Sequence, residues 1–497
     1  MTSVPQHKMS TPTLRAIHAT WWSGLEISAR YGVQFILTML LARLLTPEDF
    51  GMMAMLLVFI AFATLLTESG LGSALIQKQT TGANDETSVF LATLGIGSGL
   101  AVLLWLLSPS IAKFYTQPEL ASLLRTLLWL LPLGAVATVP NALLSQQLKF
   151  RKRAIAELAA SISSAVLALW LAWRGFGIWS LVWHALSGAL SRAILLWWLS
   201  GWRPRGRFDG KSFASLFRFG GFLLLANALS TISVRLQSLL IGRLFDARTL
   251  GFYSMAQDTQ QAPVQFMSSL LNRVGLPMFA SVADQPAKLG GAIRLALRLS
   301  MFVFAPCMVG IAVAAKPLVT LLYGEQWTAV APILSVLALA AVFWPLHVLN
   351  LAMLGALGRS DLVLRLEIAK SGITIPLVLA ASILGMLAVA WAVLASSLIS
   401  VLINTRHSHR LFGCGLLPQL RELFPSFLLT LLAAAVAWLA SGFVGDALSS
   451  FSIAVATAMI TYLAGAMTFR LQAWHDLLEF LRTLCTASPS PPKEMTT

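Results

Sequence analysis

Charge is scarce in this chain. Its 497 residues carry 20 acidic side chains, and all charged residues together make up only 11%. Cysteine is down to three, Cys307, Cys414 and Cys485, each standing alone. That excludes a disulfide framework and any CxxC metal or redox centre. A P-loop is also missing: Gly210-Lys211-Ser212 matches its end, but Arg205 stands where the first glycine belongs, so the stretch reads as a basic loop. Without it an ATP-driven exporter is set aside, leaving an ion gradient, the membrane potential or substrate flux as the energy source. No outer connection is long enough to fold alone, which argues against an enzyme that would need a catalytic outer loop. We therefore expect no catalytic residues and no cofactor. The first hydrophobic run, from Trp21 past Leu45, lacks a small-residue cleavage site, so a retained span is expected rather than a signal peptide.

What the chain has in abundance is apolar sequence, 57% of it hydrophobic. Runs of about 20 such residues cross a ~30 Å hydrocarbon core as helices. Fourteen spans are expected, near 21–43, 50–76, 87–107, 121–146, 154–173, 177–199, 213–244, 250–272, 291–314, 329–355, 361–383, 386–404, 423–441 and 449–469. With both termini inside, nineteen lysines and arginines fall in inner segments and six in outer ones, the asymmetry of a multi-pass protein with cytoplasmic termini. The net charge of +15 is explained by this bias and not by nucleic acid.

The sequence repeats itself. Leu40, Arg43, Leu44, Gly51 and Met55 pair with Leu240, Arg243, Leu244, Gly251 and Met255; after a ten-residue slip, Lys149, Glu157, Ser161 and Gly175 pair with Arg359, Glu367, Ser371 and Gly385. Two parallel copies imply a pseudo-twofold axis along the membrane normal, a common transporter plan. The expected domains are a cytoplasmic segment 1–20, an N-lobe 21–200 of spans one to six, and a C-lobe 211–406 of spans seven to twelve. Two further spans occupy 421–470, and a cytoplasmic amphipathic helix with a disordered tail occupies 471–497. In the helix, Leu471, Trp474, Leu477, Leu478, Leu481 and Leu484 share one face, as in a helix lying on the inner membrane surface.

Ten basic residues remain once the inner and outer segments are set aside: Arg30, Arg125, Arg192, Arg218, Arg235, Arg273, Arg294, Arg298, Arg365 and Lys370. A charge at mid-membrane needs a wet cavity or a partner, unless it snorkels from a helix end. Arg30 and Arg235 lie well inside the spans that open the two lobes, and with Arg218 they are the candidate cavity cations. A guanidinium fork holds phosphate through paired charge-assisted hydrogen bonds, so an anionic substrate, with a pyrophosphate headgroup, is expected. Glu26, one helical turn before Arg30, and Glu68 and Asp258 are candidate H+ or Na+ coupling or pairing residues. Pairing is the alternative for the acids, Glu367 with Lys370 for instance. His184 and His347 read as hydrogen-bonded packing residues. The glycines at 95, 97 and 99 read as close helix packing, and the tryptophans as an interfacial belt.

The segment Arg43–Gly51, RLLTPEDFG, together with Glu68-Ser69-Gly70-Leu71-Gly72, resembles the N-terminal hallmark of the Wzx-type flippases. These form the polysaccharide branch of the multidrug/oligosaccharidyl-lipid/polysaccharide exporter superfamily. The residue-level match lies in the first two spans, while span count and repeat extend it over most of the chain. The resemblance implies two facing six-helix lobes, a central cationic cavity and two extra C-terminal helices. It further implies alternating-access transfer of undecaprenyl-diphosphate-linked oligosaccharide repeat units across the bacterial inner membrane, for exopolysaccharide or lipopolysaccharide synthesis. Contacts with the polysaccharide polymerase machinery would follow. The alternative on the same scaffold is a cation-coupled drug or metabolite antiporter. The second copy departs from the motif, Asp246-Ala247-Arg248-Thr249 replacing Thr46-Pro47-Glu48-Asp49, so Glu48 and Asp49 are not expected to form a symmetric site.

Overall fold

In hydrocarbon every backbone N–H and C=O must find a partner within the protein, and a helix supplies them all from one segment. The computed structural model describes residues 32–68, 70–78, 81–271, 286–356, 360–412, 415–442 and 446–486, and among these every regular element is helical. The helices are α1 (Gly32–Leu44), α2 (Pro47–Glu68), α3 (Leu71–Gln77), α4 (Ala83–Tyr115), α5 (Leu120–Leu127), α6 (Leu130–Gln146), α7 (Phe150–Trp173), α8 (Ile178–Ser200), α9 (Gly210–Leu244) and α10 (Ala247–Leu270). They continue as α11 (Pro286–Val313), α12 (Ala315–Tyr323), α13 (Val330–Ala341), α14 (Trp344–Ala356), α15 (Ser360–Ser382), α16 (Met386–Phe412), α17 (Leu416–Ser441), α18 (Ala447–Thr468) and α19 (Gln472–Thr486). Nine stretches among the described residues are long and apolar enough to cross a membrane, so the protein is a multi-pass membrane protein. The helices α8, α9, α10 and α15 are not among those nine. Each carries charged side chains within its length, among them Arg192, Arg235, Asp258 and Lys370, and a helix with such groups must turn that side to protein or water.

Three expected spans are broken helices. Gly70, in the left-handed region at φ 67, separates α2 from α3. Pro132 lacks an N–H to give the Leu128 carbonyl, which accepts instead from Leu131 N at 3.1 Å, and this tightened turn divides α5 from α6. Pro345 stands just inside α14, beyond the equivalent break between α13 and α14.

The chain forms two compact units, Met1–Met255 and Ala256–Thr497. In the first, α7 and α8 make a hairpin turned by Gly175 (φ 83) and Gly177 (φ 53). The stretch 201–209 is more than a basic loop. Gly206 N, Arg207 N and Asp209 N donate to Thr87 Oγ1, Asn84 Oδ1 and Ser88 Oγ at 3.1, 3.0 and 2.8 Å, binding it across the start of α4. Trp202 Nε1 adds a 2.6 Å bond to Glu86 Oε2. In the second unit, Gly385 (φ 105), the repeat mate of Gly175, turns α15 into α16. The amphipathic α19 docks: Leu471, Trp474 and Leu477 pack on a cluster containing Phe302 and Tyr462, and Asp476 pairs with Arg298 of α11 at 2.6 Å.

Candidate functional site

The first repeat is a helix-start device. Thr46 caps α2: its N and Oγ1 donate to Asp49 Oδ2 at 2.9 and 2.8 Å, and Asp49 N donates back to Thr46 Oγ1 at 3.3 Å. This is a reciprocal capping box with proline in the first helical position. The second copy performs the same task with the residue types exchanged, Asp246 Oδ1 accepting from Thr249 N at 3.0 Å at the start of α10. The divergent motif letters therefore preserve a helix cap, and Asp49 is absorbed by that structural role.

The two copies also touch one another. A Cβ built on Gly51 would lie 1.7 Å from the Ala247 carbonyl oxygen, and one on Gly251 would lie 1.9 Å from that of Pro47. Such approaches are open only to glycine, so the first turns of α2 and α10 cross backbone to backbone. Around the crossing, Met55, Met255, Ala247 and Leu250 are each 1% exposed. Gly242 of α9 meets Met55, Leu250 and Tyr115. The side chains around the crossing are thus packed away from the surface. Arg43 and Arg243 are exposed at the same register, Arg243 lying 5.5 Å over the Phe114 ring, as boundary residues would be.

The predicted charges fall as follows. Arg30 and Glu26 lie outside the described residues, as do Arg273, Arg359 and the tail 487–497. Arg218 lies on α9, its side chain outside the description; Arg235, on the same helix, is half-buried. At 1.5 Å per residue the two stand about 25 Å apart along α9, too far to hold one pyrophosphate. Glu68 ends α2, is exposed, and lies within electrostatic reach of Arg192. Asp258 is exposed on α10 within reach of Tyr323, whose hydroxyl bonds Thr259 Oγ1 at 2.9 Å. No group of three or more metal-ligating side chains occurs among the described residues.

The acids at the second repeat pair differently. Glu157 of α7, 7% exposed, receives Arg192 Nε of α8 at 2.7 Å, whereas Glu367 takes Lys370 of its own helix. The α7–α8 pair was legible in principle: Glu157 lies 18 residues before Gly175 and Arg192 15 residues after Gly177, within one helical turn of the same depth and in reach of an arginine side chain. His347 is a packing residue, its ring nitrogens meeting Ser397 Oγ at 3.1 Å and Asn404 at 3.4 Å.

Comparison with known proteins bears on this arrangement. Residues 40–332, which contain both copies of the first repeat, match the family model described as "Polysaccharide biosynthesis protein". The chain is 32% identical to the succinoglycan biosynthesis transport protein ExoT of Rhizobium meliloti (strain 1021), over 66% of this chain and 67% of that one. It is 25% identical to the lipopolysaccharide biosynthesis protein WzxC of Escherichia coli (strain K12), over 79% of each. It is 26% identical to the teichuronic acid biosynthesis protein TuaB of Bacillus subtilis (strain 168), over 71% of this chain and 74% of the relative. Among solved structures, the lipid II flippase MurJ in an inward closed conformation superposes with a TM-score of 0.77 at 14% identity, covering 92% of this chain and 99% of that one. An inward-facing multidrug resistance MATE transporter superposes with a TM-score of 0.63 at 15% identity, covering 77% and 94%. The fold is that of these transporters.

Proposed function

The chain belongs to the polysaccharide biosynthesis protein family, and from that premise we propose that it is a flippase for lipid-linked oligosaccharides. It carries undecaprenyl-diphosphate-linked repeat units from the inner to the outer leaflet of the bacterial inner membrane, by alternating access of two six-helix lobes, 21–200 and 211–406. Fourteen spans and cytoplasmic termini complete this reading. The observation that carries it is the family match across both repeat copies, joined to a 32% identical relative named as a transport protein of succinoglycan synthesis. The protein moves its substrate without changing it, and any coupling to H+ or Na+ passes through Glu26, Glu68 or Asp258, of which Glu68 and Asp258 are exposed on α2 and α10.

Arg235 supplies the first test. Removing a guanidinium that binds phosphate forfeits about 1.5–3 kcal/mol, or roughly ten- to a hundredfold in affinity. Arg235→Ala and Arg30→Ala are each expected to cut polysaccharide export below about a tenth of wild type at normal protein level, with Arg235→Lys retaining part of it. Full export by both alanine variants removes the cavity assignment. Deletion of the whole chain separates the antiporter reading, which requires lost resistance to cationic dyes while surface polysaccharide stays intact.

A further inference from the structure

Arg125 is the intramembrane arginine whose surroundings are best defined. A cavity of about 450 Å³ opens between α4 and the α5–α6 pair beside the Pro132 break. Its lining descends two helices at the same spacing, Ser98, Ala101, Val102 and Trp105 on one side and Arg125, Leu128, Trp129 and Pro132 on the other. Arg125 Nε donates to Ser108 Oγ at 2.9 Å, and that hydroxyl donates to the Trp105 carbonyl at 2.7 Å. The guanidinium lies 4.8 Å over the Trp105 ring. One nitrogen and one face are thus fixed, while the two terminal nitrogens have no carboxylate or carbonyl acceptor among the described residues.

We propose that Arg125, Trp105 and Trp129 form a binding site for the phosphate of an anionic phospholipid. The lining has one cation and no carboxylate, so the ligand must bring the negative charge. A guanidinium stacked on an aromatic ring keeps its in-plane fork available for two phosphate oxygens. Beside the site Val102, Leu103 and Leu106 are 61%, 50% and 63% exposed, which continues the pocket into a surface suited to acyl chains. An amphiphile satisfies both halves and a free ion only one. The depth agrees: Trp105 stands two residues before the outer end of the span expected over 87–107, about 3 Å along the helix axis, where interfacial tryptophans gather, and Trp129 lines the same cavity. On the proposed topology this is the outer leaflet. The site does not depend on what the protein transports.

Purified, delipidated full-length protein, titrated with phosphatidylglycerol or phosphatidylcholine and read by native mass spectrometry, provides the test. Wild type is expected to hold one phosphatidylglycerol in preference to phosphatidylcholine, and Arg125→Gln to weaken it about tenfold, the loss of a charged hydrogen-bond pair. Because Arg125 also serves the buried Ser108 hydroxyl, Trp129→Leu is the second variant; Trp129 is 66% exposed, and its loss should weaken the lipid while leaving lipid-free melting unchanged. Equal binding of the two lipids by wild type, or unchanged phosphatidylglycerol binding in both variants, overturns the site. Full displacement by millimolar inorganic phosphate overturns the lipid and leaves an ion site. Binding of undecaprenyl diphosphate with rejection of phosphatidylglycerol overturns the phospholipid and assigns the pocket to the cargo. None of these readings requires transport, so failure here is distinct from failure of the flippase assignment.

Discussion

A chain with leucine in place of Gly51 is expected to reach the membrane in normal amount and to export almost no polysaccharide, and Gly251→Leu to do the same. The Cβ alone would stand 1.7 Å from the Ala247 carbonyl oxygen at one position and 1.9 Å from that of Pro47 at the other. Both obstacles are backbone, which cannot rotate aside as a side chain does. The first turns of α2 and α10 must therefore move apart. Overpacking of this kind costs about 1–3 kcal/mol, and if it falls on the closed arrangement alone it shifts the closed–open balance about 5- to 150-fold. The rest of each helix is untouched, so folding should survive where closure does not.

The readout that separates this from misfolding is Met55, 1% exposed behind the crossing. In a chain freed of Cys307, Cys414 and Cys485, a Met55→Cys reporter is expected to resist a membrane-impermeant maleimide. Adding Gly51→Leu should raise its labelling at least about tenfold, within the shift calculated above. Gly51→Ala should give an intermediate result, since even a methyl group cannot occupy that space without movement. Normal export together with an unlabelled reporter would show that the crossing is not where the molecule opens.

The repeat was plain in the sequence, but its consequence was not. A pseudo-twofold axis brings some residue against its own mate, and sequence does not say which. Among the repeated positions, Leu40, Arg43, Leu44 and Met55 have side chains that keep two backbones apart, while Gly51 alone lets them meet. Hydropathy likewise placed spans near 177–199, 213–244, 250–272 and 361–383, where α8, α9, α10 and α15 stand, but did not show which of their faces meets protein. The breaks at Gly70 and Pro132 passed unnoticed because a hydrophobic run continues through each. Of the candidate charges, position along the chain identified which were deep in a span but not which were satisfied. Arg192 and Arg125 stood among the other intramembrane cations, and only partners from other helices, Glu157 for one and Ser108 for the other, show what each does.

Glu157→Leu is expected to lower thermal stability markedly, and adding Arg192→Met to restore most of it. Removing one partner of a fully buried ion pair costs about 3–5 kcal/mol, because the other charge is left uncompensated, whereas replacing both by apolar residues is often neutral. Here the arginine side chain is 38% exposed against 8% for the glutamate, so water reaches part of the orphaned charge and about 1–3 kcal/mol is the expected loss. A double-mutant cycle by thermal melting should then give a coupling of at least about 1 kcal/mol. Additive losses would mean that the 2.7 Å contact contributes nothing to holding α7 on α8. Transport in the double variant carries a second meaning. Arg192 also lies within electrostatic reach of Glu68, the exposed carboxylate proposed for ion coupling. If Arg192 only fastens the hairpin, the repaired double variant exports normally. If it also sets the charge state of Glu68, stability returns while export and its pH dependence do not, and Glu68→Gln should reproduce that defect without any loss of stability.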